Sequence, residues 1–382
     1  MIERLGFGNL KNLVDVDIVG LSPLSLFVGP NGSGKTTILQ GVSFLSESLG
    51  RGPEEVFKHN FALDKLVNRK KQEAPIMLGC YTDEAMVRID LFKRGTMLNG
   101  NQIGTSNWMI NVDIEAASQG EYGTSESQVR EIQRDFGASL FLSLKASVLS
   151  KPAYSSELVP SLSGSGANLG TVLAFMALNH RDRFETLLGY LQRIVPSFRD
   201  LKFIRKPLYR RETELIRFGN EGVKRETNRK YVGTALLLDF DHVQGIEASG
   251  CSEGTLLALG LLTAVLQPAA PKRLLIDDLE HGFHPLAQKA ILDILRDIGK
   301  GVPKVQIFAT THSPYLLNAA TPDEVWMVGI GQDGETKIGQ LTQHVDYRRW
   351  SDEMHPGEMW GMFGEGWIVS TSPSEWTRRV NK

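Results

Sequence analysis

Cysteines, long apolar runs and net charge are all scarce in this 382-residue chain. Cys80 and Cys251 are its only two cysteines, and neither belongs to a Cys-x-x-Cys or Cys/His cluster, which argues against a disulfide framework and a zinc site. The longest apolar run, TLLALGLLTAVL, is shorter than the ~18 residues that a membrane span requires, so no membrane partner is expected. The first twenty residues lack the charged start and apolar middle of a secretion signal, so we expect a cytoplasmic location.

Positive charge is concentrated in one segment. The formal net charge of -2 gives the chain no overall attraction to nucleic acid. Residues 202 to 230, however, contain ten Lys or Arg against four Glu. A solvated hairpin and a phosphate-binding surface both fit this composition.

The apolar pattern predicts an α/β fold with two additions. Strands are expected at Leu13 to Val19 and Leu24 to Val28, followed by a helix from Thr36 to Leu49. Residues 76 to 113 predict antiparallel strands, with a hairpin around MLNGN, and residues 127 to 197 have helical periodicity. The later apolar runs ALLLDF, RLLIDD and VQIFATTH predict buried strands that end in polar residues, where open parallel sheets place their ligands.

The segment GPNGSGKTT satisfies the pattern GxxxxGK[ST] between a predicted strand and a predicted helix. Its glycines allow backbone N–H groups to surround phosphate oxygens, Lys35 supplies a cation to the β and γ phosphates of ATP, and Thr36 is placed to bind Mg²⁺. An incidental glycine-rich turn is the alternative interpretation. The predicted nucleotide-binding residues are Gly29, Asn31, Gly32, Ser33, Gly34, Lys35, Thr36 and Thr37.

The segment LLIDDLEHGFHP delivers two adjacent acids to the end of a buried strand. Asp277 directly follows the apolar run and is the expected metal ligand, and Asp278 is expected to position the attacking water. A helix cap at either residue is the alternative.

Two further segments carry polar groups that suit a phosphate. His312 ends the run VQIFATTH and is placed to reach the γ-phosphate, although an isolated histidine at a strand end is commonly structural. In ASGCSEGTLL, free N–H groups and the Ser252 hydroxyl open a helix. A simple capping arrangement of Ser249, Ser252 or Thr255 with a nearby acid explains the same residues.

Taken together and in order, the loop, SEGTL, IDDLEHGFHP and TTHSP resemble AAA-domain ATPases of the ABC/SMC type. RecF-like and OLD-like (overcoming lysogenization defect) ATPases are the most similar in pattern, and GANLGTVL and PGEMWGMFGEG also look like landmarks of that family. The resemblance implies an α/β P-loop NTPase of the ABC/SMC-head type, with a mixed sheet flanked by helices, an appended antiparallel sheet and an inserted helical lobe.

The resemblance also implies a division of the chain into segments. Residues 1–120 would form the first half of the ATPase head, with the phosphate loop and the antiparallel sheet. Residues 121–200 would form the inserted helical lobe, and 201–231 a basic hairpin or linker. Residues 232–382 would form the second half of the head.

By the same resemblance, ATP and Mg²⁺ would join two heads. Ser252, Glu253 and Gly254 belong to a signature that caps the γ-phosphate bound to the opposite subunit, so ATP would hold a homodimer or a higher oligomer together and hydrolysis would release it.

The chain departs from the family pattern at several positions. Asp278 replaces the usual glutamate, and a displacement of about 1 Å at a positioned group can cost roughly a hundredfold in rate, so turnover is expected to be slow unless Glu280 compensates. Leu257 and Leu279 replace the usual arginine and proline. Gln72 is the candidate for the Q-loop metal ligand.

The leading functional hypothesis is an ATP-dependent switch in a bacterial anti-phage system. OLD nucleases carry a Toprim domain after the ATPase, but the seventy residues after His312 hold no Glu followed by an Asp-x-Asp pair, so a separately encoded nuclease or toxin effector is expected. The alternative is a RecF-like repair ATPase, with DNA as partner. A transporter-type motor subunit is the third candidate.

Overall fold

The computed structural model describes residues 1–52, 66–68, 70–71, 74–82, 85–93, 103–105, 108–116, 125–218, 221–301 and 305–370. The chain divides into two compact units. The first comprises residues 1–141, 271–281 and 292–382, and the second comprises 142–270 and 282–291. The boundaries of these two units differ from those of the four segments expected from the sequence. The four-segment division stays a prediction.

The described residues form regular elements along most of their length. The strands are β1 (Ile2–Leu10), β2 (Leu13–Val19), β3 (Leu24–Val28), β4 (Ile76–Thr82), β5 (Ala85–Lys93), β6 (Ile103–Thr105), β7 (Trp108–Ala116), β8 (Ser139–Leu142), β9 (Phe198–Phe218), β10 (Glu221–Phe240), β11 (Val243–Glu247), β12 (Arg273–Ile276), β13 (Gln306–Thr311), β14 (Val325–Ile330) and β15 (Thr336–Gln340). The helices are α1 (Lys35–Arg51), α2 (Glu126–Gly137), α3 (Ala146–Leu149), α4 (Leu169–Asn179), α5 (Arg181–Ile194), α6 (Glu253–Leu266), α7 (Pro285–Gly299), α8 (Pro314–Asn318), α9 (Tyr347–Trp350) and α10 (Pro356–Phe363). Among the helices of the described residues, none is long and apolar enough to cross a membrane.

Two sheets organise the first unit. One is antiparallel and has the strand order β2-β1-β4-β5-β7-β6, which confirms the strands expected between residues 76 and 113. The hairpin expected around MLNGN lies largely outside the described residues. The other sheet has the order β15-β14-β3-β13-β12-β8, and its strands β14, β3, β13 and β12 are parallel.

Helix α1 packs its apolar side into the core of the first unit. Ile38, Leu39 and Val42 recur at helical spacing and are buried there, together with Phe7 of β1 and Phe27 of β3. Each fully buried side chain of this size contributes about 2 kcal/mol relative to exposure. This packing fixes the start of α1 beside the end of β3, where the glycine-rich loop lies.

The second unit combines helices with a long two-stranded ribbon. Strands β9 and β10 pair in antiparallel register from Phe198↔Phe240 to Phe218↔Glu221, and β11 adds at the base of β10. The helices expected in residues 171–195 are present as α4 and α5. The apolar run from Thr255 forms most of α6, which is buried along most of its length.

A buried ion pair ties α7 to the segment before β14. Arg296 donates from Nε and Nη2 to the two carboxylate oxygens of Glu324, at 2.9 and 2.8 Å, and also to the carbonyl oxygen of Ala319. The Glu324 side chain is only 7% exposed. The hydrogen bonds that Arg296 donates to Glu324, together with the nearby negative charges, raise the pKa of Arg296 above its usual value, although burial opposes this shift.

Replacing Arg296 with leucine is expected to leave the Glu324 carboxylate buried without its partner, at a cost of about 3 kcal/mol in the free energy of unfolding. The matched control is Arg130→Leu, which breaks an exposed pair between Arg130 and Glu126 and should cost less than about 1 kcal/mol. Urea unfolding followed by circular dichroism measures both. Equal losses in the two variants would contradict the structural role assigned to the buried pair.

Candidate functional site

The glycine-rich loop between β3 and α1 has a conformation that glycine alone permits at two positions. A Cβ at Gly29 would lie 1.9 Å from the carbonyl oxygen of Val328, and Gly34 has a φ of 107° with Thr336 Oγ1 2.6 Å from its would-be Cβ. Side chains there would clash with the backbone or with Thr336. Glycine is therefore required at these two positions of the motif for steric reasons.

Two residues outside the motif brace this loop. Thr336 Oγ1 donates to the carbonyl oxygen of Ser33 at 2.7 Å, and Asn12 Nδ2 donates to that of Gly32 at 3.1 Å. Thr336 N–H in turn donates to the carbonyl oxygen of Asn12. The turn before β2 and the start of β15 thus hold the loop in place, and sequence reasoning missed both because neither residue belongs to a recognisable motif.

Lys35 lies at the start of α1 and is 5% exposed. Its Nζ donates to the carbonyl oxygens of Gly29 and Pro30, both at 2.9 Å, so the ammonium group is held across the loop. Burial lowers the pKa of Lys35, although the negative charges of Asp278, Asp277 and Glu280 raise it in part. These carboxylates favour a charged ammonium, which is the form that attracts phosphate.

Asp277 follows β12 and accepts two hydroxyl hydrogen bonds on a single carboxylate oxygen. Thr36 Oγ1 donates to Asp277 Oδ1 at 3.0 Å, and Thr310 Oγ1 of β13 donates to the same atom at 2.6 Å. The helix cap considered as an alternative does not describe this arrangement, since Asp277 is bound by side-chain hydroxyls. Thr310 was not identified from the sequence, and the only available signal was a hydroxyl residue two positions before His312.

Asp278 is presented to solvent by an uncommon backbone conformation. Its φ is 52°, in the left-handed region where aspartate and asparagine are enriched, and its N–H donates to Thr310 Oγ1 at 2.8 Å. Partial burial raises the pKa of the Asp278 carboxyl, and the negative charges of Asp277 and Glu280 add to this shift, while His312 and Lys35 oppose it. The carboxyl group is therefore a stronger proton acceptor than an ordinary aspartate.

Glu280 connects the acidic segment to the end of β13. The backbone N–H of His312 donates to Glu280 Oε1 at 2.7 Å. Within the described residues, Glu280 Oε2 is buried and has no hydrogen-bond partner. Glu280 thus fixes the backbone that carries the His312 imidazole, and one of its oxygens remains available.

A cavity of about 180 Å³ brings most of these residues together in the first unit. Its lining comprises Asn31, Gly32, Gly34, Lys35, Thr36, Thr37, Asp278 and His312. The residues come from the ends of β3, β12 and β13, as the sequence predicted for strands that end in polar residues.

The donor set at this cavity suits Mg²⁺. Thr36 Oγ1 and Asp277 Oδ1 are hard oxygen donors only 3.0 Å apart, and they would suit Mg²⁺, which commonly uses one or two protein oxygens together with substrate phosphates. In the glycine-rich loop, Ser33 Oγ is buried without a hydrogen-bond partner in the described part of the chain. Gln72, the third predicted metal ligand, lies outside the described residues.

The predicted signature Ser252, Glu253 and Gly254 lies in the second unit, at the start of α6. Ser252 is the N-cap residue, and its Oγ accepts a hydrogen bond from the N–H of Thr255 at 3.3 Å. A Cβ at Gly254 would approach the carbonyl oxygen of Gly282 to 2.7 Å. The helix cap that the sequence suggested as an alternative is thus present. The role of these residues toward a second subunit stays a prediction.

Among known protein families, the one described as "AAA domain, putative AbiEii toxin, Type IV TA system" matches residues 146–318. This range includes Ser252, Asp277, Asp278 and His312, but not the glycine-rich loop. The match therefore does not rest on the phosphate-loop pattern.

Curated relatives match over shorter stretches. The Septu protein PtuA of Bacillus thuringiensis is 35% identical over 81 residues, which are 21% of this chain and 20% of that protein. The DNA replication and repair protein RecF of Clavibacter michiganensis subsp. michiganensis is 26% identical over 141 residues, 37% of this chain and 28% of that protein. The chain thus spans less than a third of the length of either relative.

Solved structures cover nearly the whole chain. The crystal structure of an SmcHead bound to the C-winged helix domain of ScpA covers 91% of this chain and 99% of its own, with a TM-score of 0.56 and 13% identity. An Smc head domain with an extended coiled coil, bound to the C-terminal domain of ScpA and derived from Pyrococcus furiosus, covers 92% and 99%, with a TM-score of 0.52 and 11% identity. The chain therefore has the α/β fold of an SMC head. Its motifs resemble those of AAA-domain ATPases of the ABC/SMC type.

Proposed function

We propose that this protein binds and hydrolyses ATP in the first unit and that bound ATP joins two copies of the chain. The observation that carries the proposal is the convergence of Lys35, Thr36, Asp278 and His312 on one cavity at the ends of three neighbouring parallel strands. Asp277 is hydrogen-bonded to Thr36 at the same place. These are the side chains that phosphoryl transfer to water requires.

Each side chain has a role that follows from its position. The loop N–H groups and the Lys35 ammonium bind the phosphates, and the amino end of α1 adds its dipole. Thr36 and Asp277 would hold Mg²⁺, which neutralises charge on the β and γ phosphates. Asp278 orients the attacking water, because its carboxyl group is exposed at the cavity and its pKa is raised.

Glu280 acts on the same step through His312. It holds the His312 backbone by one hydrogen bond, so that the imidazole reaches the γ-phosphate from a fixed position. Because the Asp278 side chain is shorter than that of a glutamate, we expect slow ATP hydrolysis. Slow hydrolysis suits a switch that stays closed while ATP is bound.

The signature at α6 completes the site in a second copy. Ser252 and Gly254 lie at the amino end of a helix, where N–H groups attract an anion, and Gly254 allows the close approach of the Gly282 carbonyl oxygen. The resemblance of SEGTL to the ABC/SMC signature supports their action in trans. A homodimer with two shared nucleotides is the expected closed state.

The biological role that we propose is an anti-phage switch that controls a separately encoded nuclease or toxin. The identity with Septu protein PtuA and the OLD-like motif pattern support this role. The second candidate is a RecF-like ATPase of DNA repair, which the 26% identity with RecF over 141 residues favours. Both candidates use the same ATP-dependent closure and differ in their partner.

Removal of the Lys35 ammonium should abolish tight nucleotide binding. In Lys35→Ala the loop retains its glycines but loses the cation that faces the phosphates, so we expect ATP affinity to fall at least tenfold, as an interaction with a charged phosphate is worth about 1.5–3 kcal/mol. Calorimetric titration with ATP and Mg²⁺ measures this, with the exposed Lys300→Ala as the matched control. Wild-type affinity in Lys35→Ala would exclude this cavity as the ATP site.

Loss of the Asp278 carboxylate should trap a closed dimer. Asparagine tolerates the same left-handed backbone and has nearly the same shape, so Asp278→Asn should bind ATP normally, hydrolyse it at least a hundredfold more slowly and remain dimeric. Light scattering in saturating ATP measures the mass, and phosphate release measures the rate.

Adding Ser252→Arg to this variant tests the action in trans. The long side chain at the amino end of α6 should return the Asp278→Asn protein to a monomer that still binds ATP. Ser127→Arg, on the exposed start of α2, is the matched control and should leave the dimer intact. A monomer of Asp278→Asn in saturating ATP would refute the composite site.

Capture of the tagged protein from its native host, with and without infection, tests the biological role. Mass spectrometry of the retained partners should identify a neighbouring nuclease or toxin with the wild-type chain and much less of it with Lys35→Ala. Recovery of DNA together with replication or recombination proteins would favour the RecF-like function instead.

A further inference from the structure

The most basic segment of the chain forms a two-stranded ribbon whose two faces differ. Strands β9 and β10 pair without interruption from Leu201↔Leu238 to Phe218↔Glu221. Residues directly opposite each other in an antiparallel pair project from the same face, and faces alternate along each strand. The register therefore assigns every residue of the ribbon to one of two faces, which the sequence alone did not do.

On one face, which we call the paired face, most of the described basic residues have local partners. Lys206, Arg210 and Arg229 project there, with Glu212 and Tyr231 between them. Lys206 forms an ion pair with Glu247 at 2.6 Å, and Arg229 forms one with Glu212 at 3.3 Å. Arg210 donates a hydrogen bond to the carbonyl oxygen of Tyr154 at 3.0 Å. Arg225 also projects from this face and has no ion pair among the described residues, so most but not all of the charge on this face is used within the unit.

On the opposite face, which we call the open face, three basic residues have no ionic partner among the described residues. Arg205, Arg211 and Lys230 are all exposed there. Tyr209 lies opposite Lys230 and is 65% exposed, and Glu226 is the one acid among the described side chains of this face. The open face therefore carries a net positive charge that the fold does not neutralise.

The spacing of these cations suits a repeating anion. Arg205 and Arg211 are six residues apart on one strand, which corresponds to about 20 Å at the rise of an extended chain. Lys230 lies between them on the neighbouring strand. A length of about 20 Å spans roughly six base pairs of duplex DNA, in which each strand presents a phosphate every ~3.4 Å.

Two observations favour duplex DNA over a single strand. A platform for single strands stacks successive bases on several aromatic side chains, whereas Tyr209 is the sole exposed aromatic residue on the described part of the open face. A two-stranded β-ribbon also fits the major groove of B-DNA, which is about 12 Å wide. We propose that the open face of the β9–β10 ribbon binds the phosphate backbone of duplex DNA.

This proposal goes beyond the ATP switch and does not depend on it. The ribbon belongs wholly to the second unit, whereas the nucleotide cavity belongs to the first. Duplex DNA would give the switch a polyanionic ligand to sense, in either of the two candidate roles.

The test uses the full-length protein and a fluorescent 20-base-pair duplex of arbitrary sequence, with affinity measured by anisotropy over a range of KCl concentrations. The variant Arg205→Ala/Arg211→Ala/Lys230→Ala should bind at least tenfold more weakly than wild type. The slope of log K against log salt should fall in magnitude by about 2.7, because each lost phosphate contact removes about 0.9.

The matched control is Arg130→Ala/Arg193→Ala/Lys300→Ala, which removes three exposed cations elsewhere and so changes the net charge equally. It should retain the affinity and the salt slope of the wild-type protein. This result would show that the loss in the ribbon variant comes from the open face and not from the change in net charge. Circular dichroism of both triple variants checks that each is folded.

Four outcomes would overturn the proposal. These are an unchanged salt slope in the ribbon variant, an equal loss in the control variant, tighter binding of a single strand of the same length, and no duplex binding by the wild-type protein. Lys35→Ala is measured alongside and should lose ATP binding while it keeps the duplex. A wrong proposal about duplex binding and a wrong proposal about the ATP site would therefore give different results.

Discussion

The parallel pairing of β3, β13 and β12 is the constraint on which the candidate site depends. Leu26 of β3 pairs with Ala309 of β13, which pairs with Ile276 of β12. These three residues are fully or largely buried, so burial of apolar side chains sets the register of the strands. The polar residues that follow each strand therefore meet at one edge, although the glycine-rich loop and Asp277 are far apart in sequence.

At that edge, the Thr310 hydroxyl determines how the two adjacent aspartates differ. It donates to Asp277 Oδ1 and accepts from the N–H of Asp278, so a single group holds one carboxylate inward and turns the next residue outward. A strand that ended in two acids without this hydroxyl would present two similar, mutually repelling carboxylates. The roles that we propose for the two aspartates, metal binding and water positioning, thus depend on a residue of the neighbouring strand.

The sequence predicted the parts of the fold that depend on local pattern. Strands β2 and β3 have the bounds expected from their apolar residues, and the loop, the acidic segment and His312 lie at strand ends as predicted. Thr310, Asn12 and Thr336 were not predicted, because each acts through a contact with a residue distant in sequence. Such contacts follow from strand order and register, which composition and periodicity do not specify.

The ribbon illustrates the same limit. Its basic composition was evident, but the sequence expectation of a hairpin or linker at residues 201–231 ended before the strand ALLLDF, which is the continuation of β10. Only the register separates Arg205, Arg211 and Lys230 from the basic residues that have local partners. An excess of charge in a sequence is thus divided by strand pairing into charge that stabilises the fold and charge that remains available to a ligand.

The backbone at Asp278 gives a physical reason for the departure from the family pattern. A residue other than glycine, asparagine or aspartate pays on the order of 1 kcal/mol to adopt a left-handed conformation such as the φ of 52° found here. Aspartate therefore suits this turn better than glutamate, although its carboxylate reaches less far. Glu280, whose backbone conformation is ordinary and whose Oε2 has no partner among the described residues, lies two positions further along. The turn thus places a short carboxylate at a position that tolerates a left-handed backbone, where it lines the cavity. The longer Glu280 side chain does not line the cavity and instead holds the backbone N–H of His312.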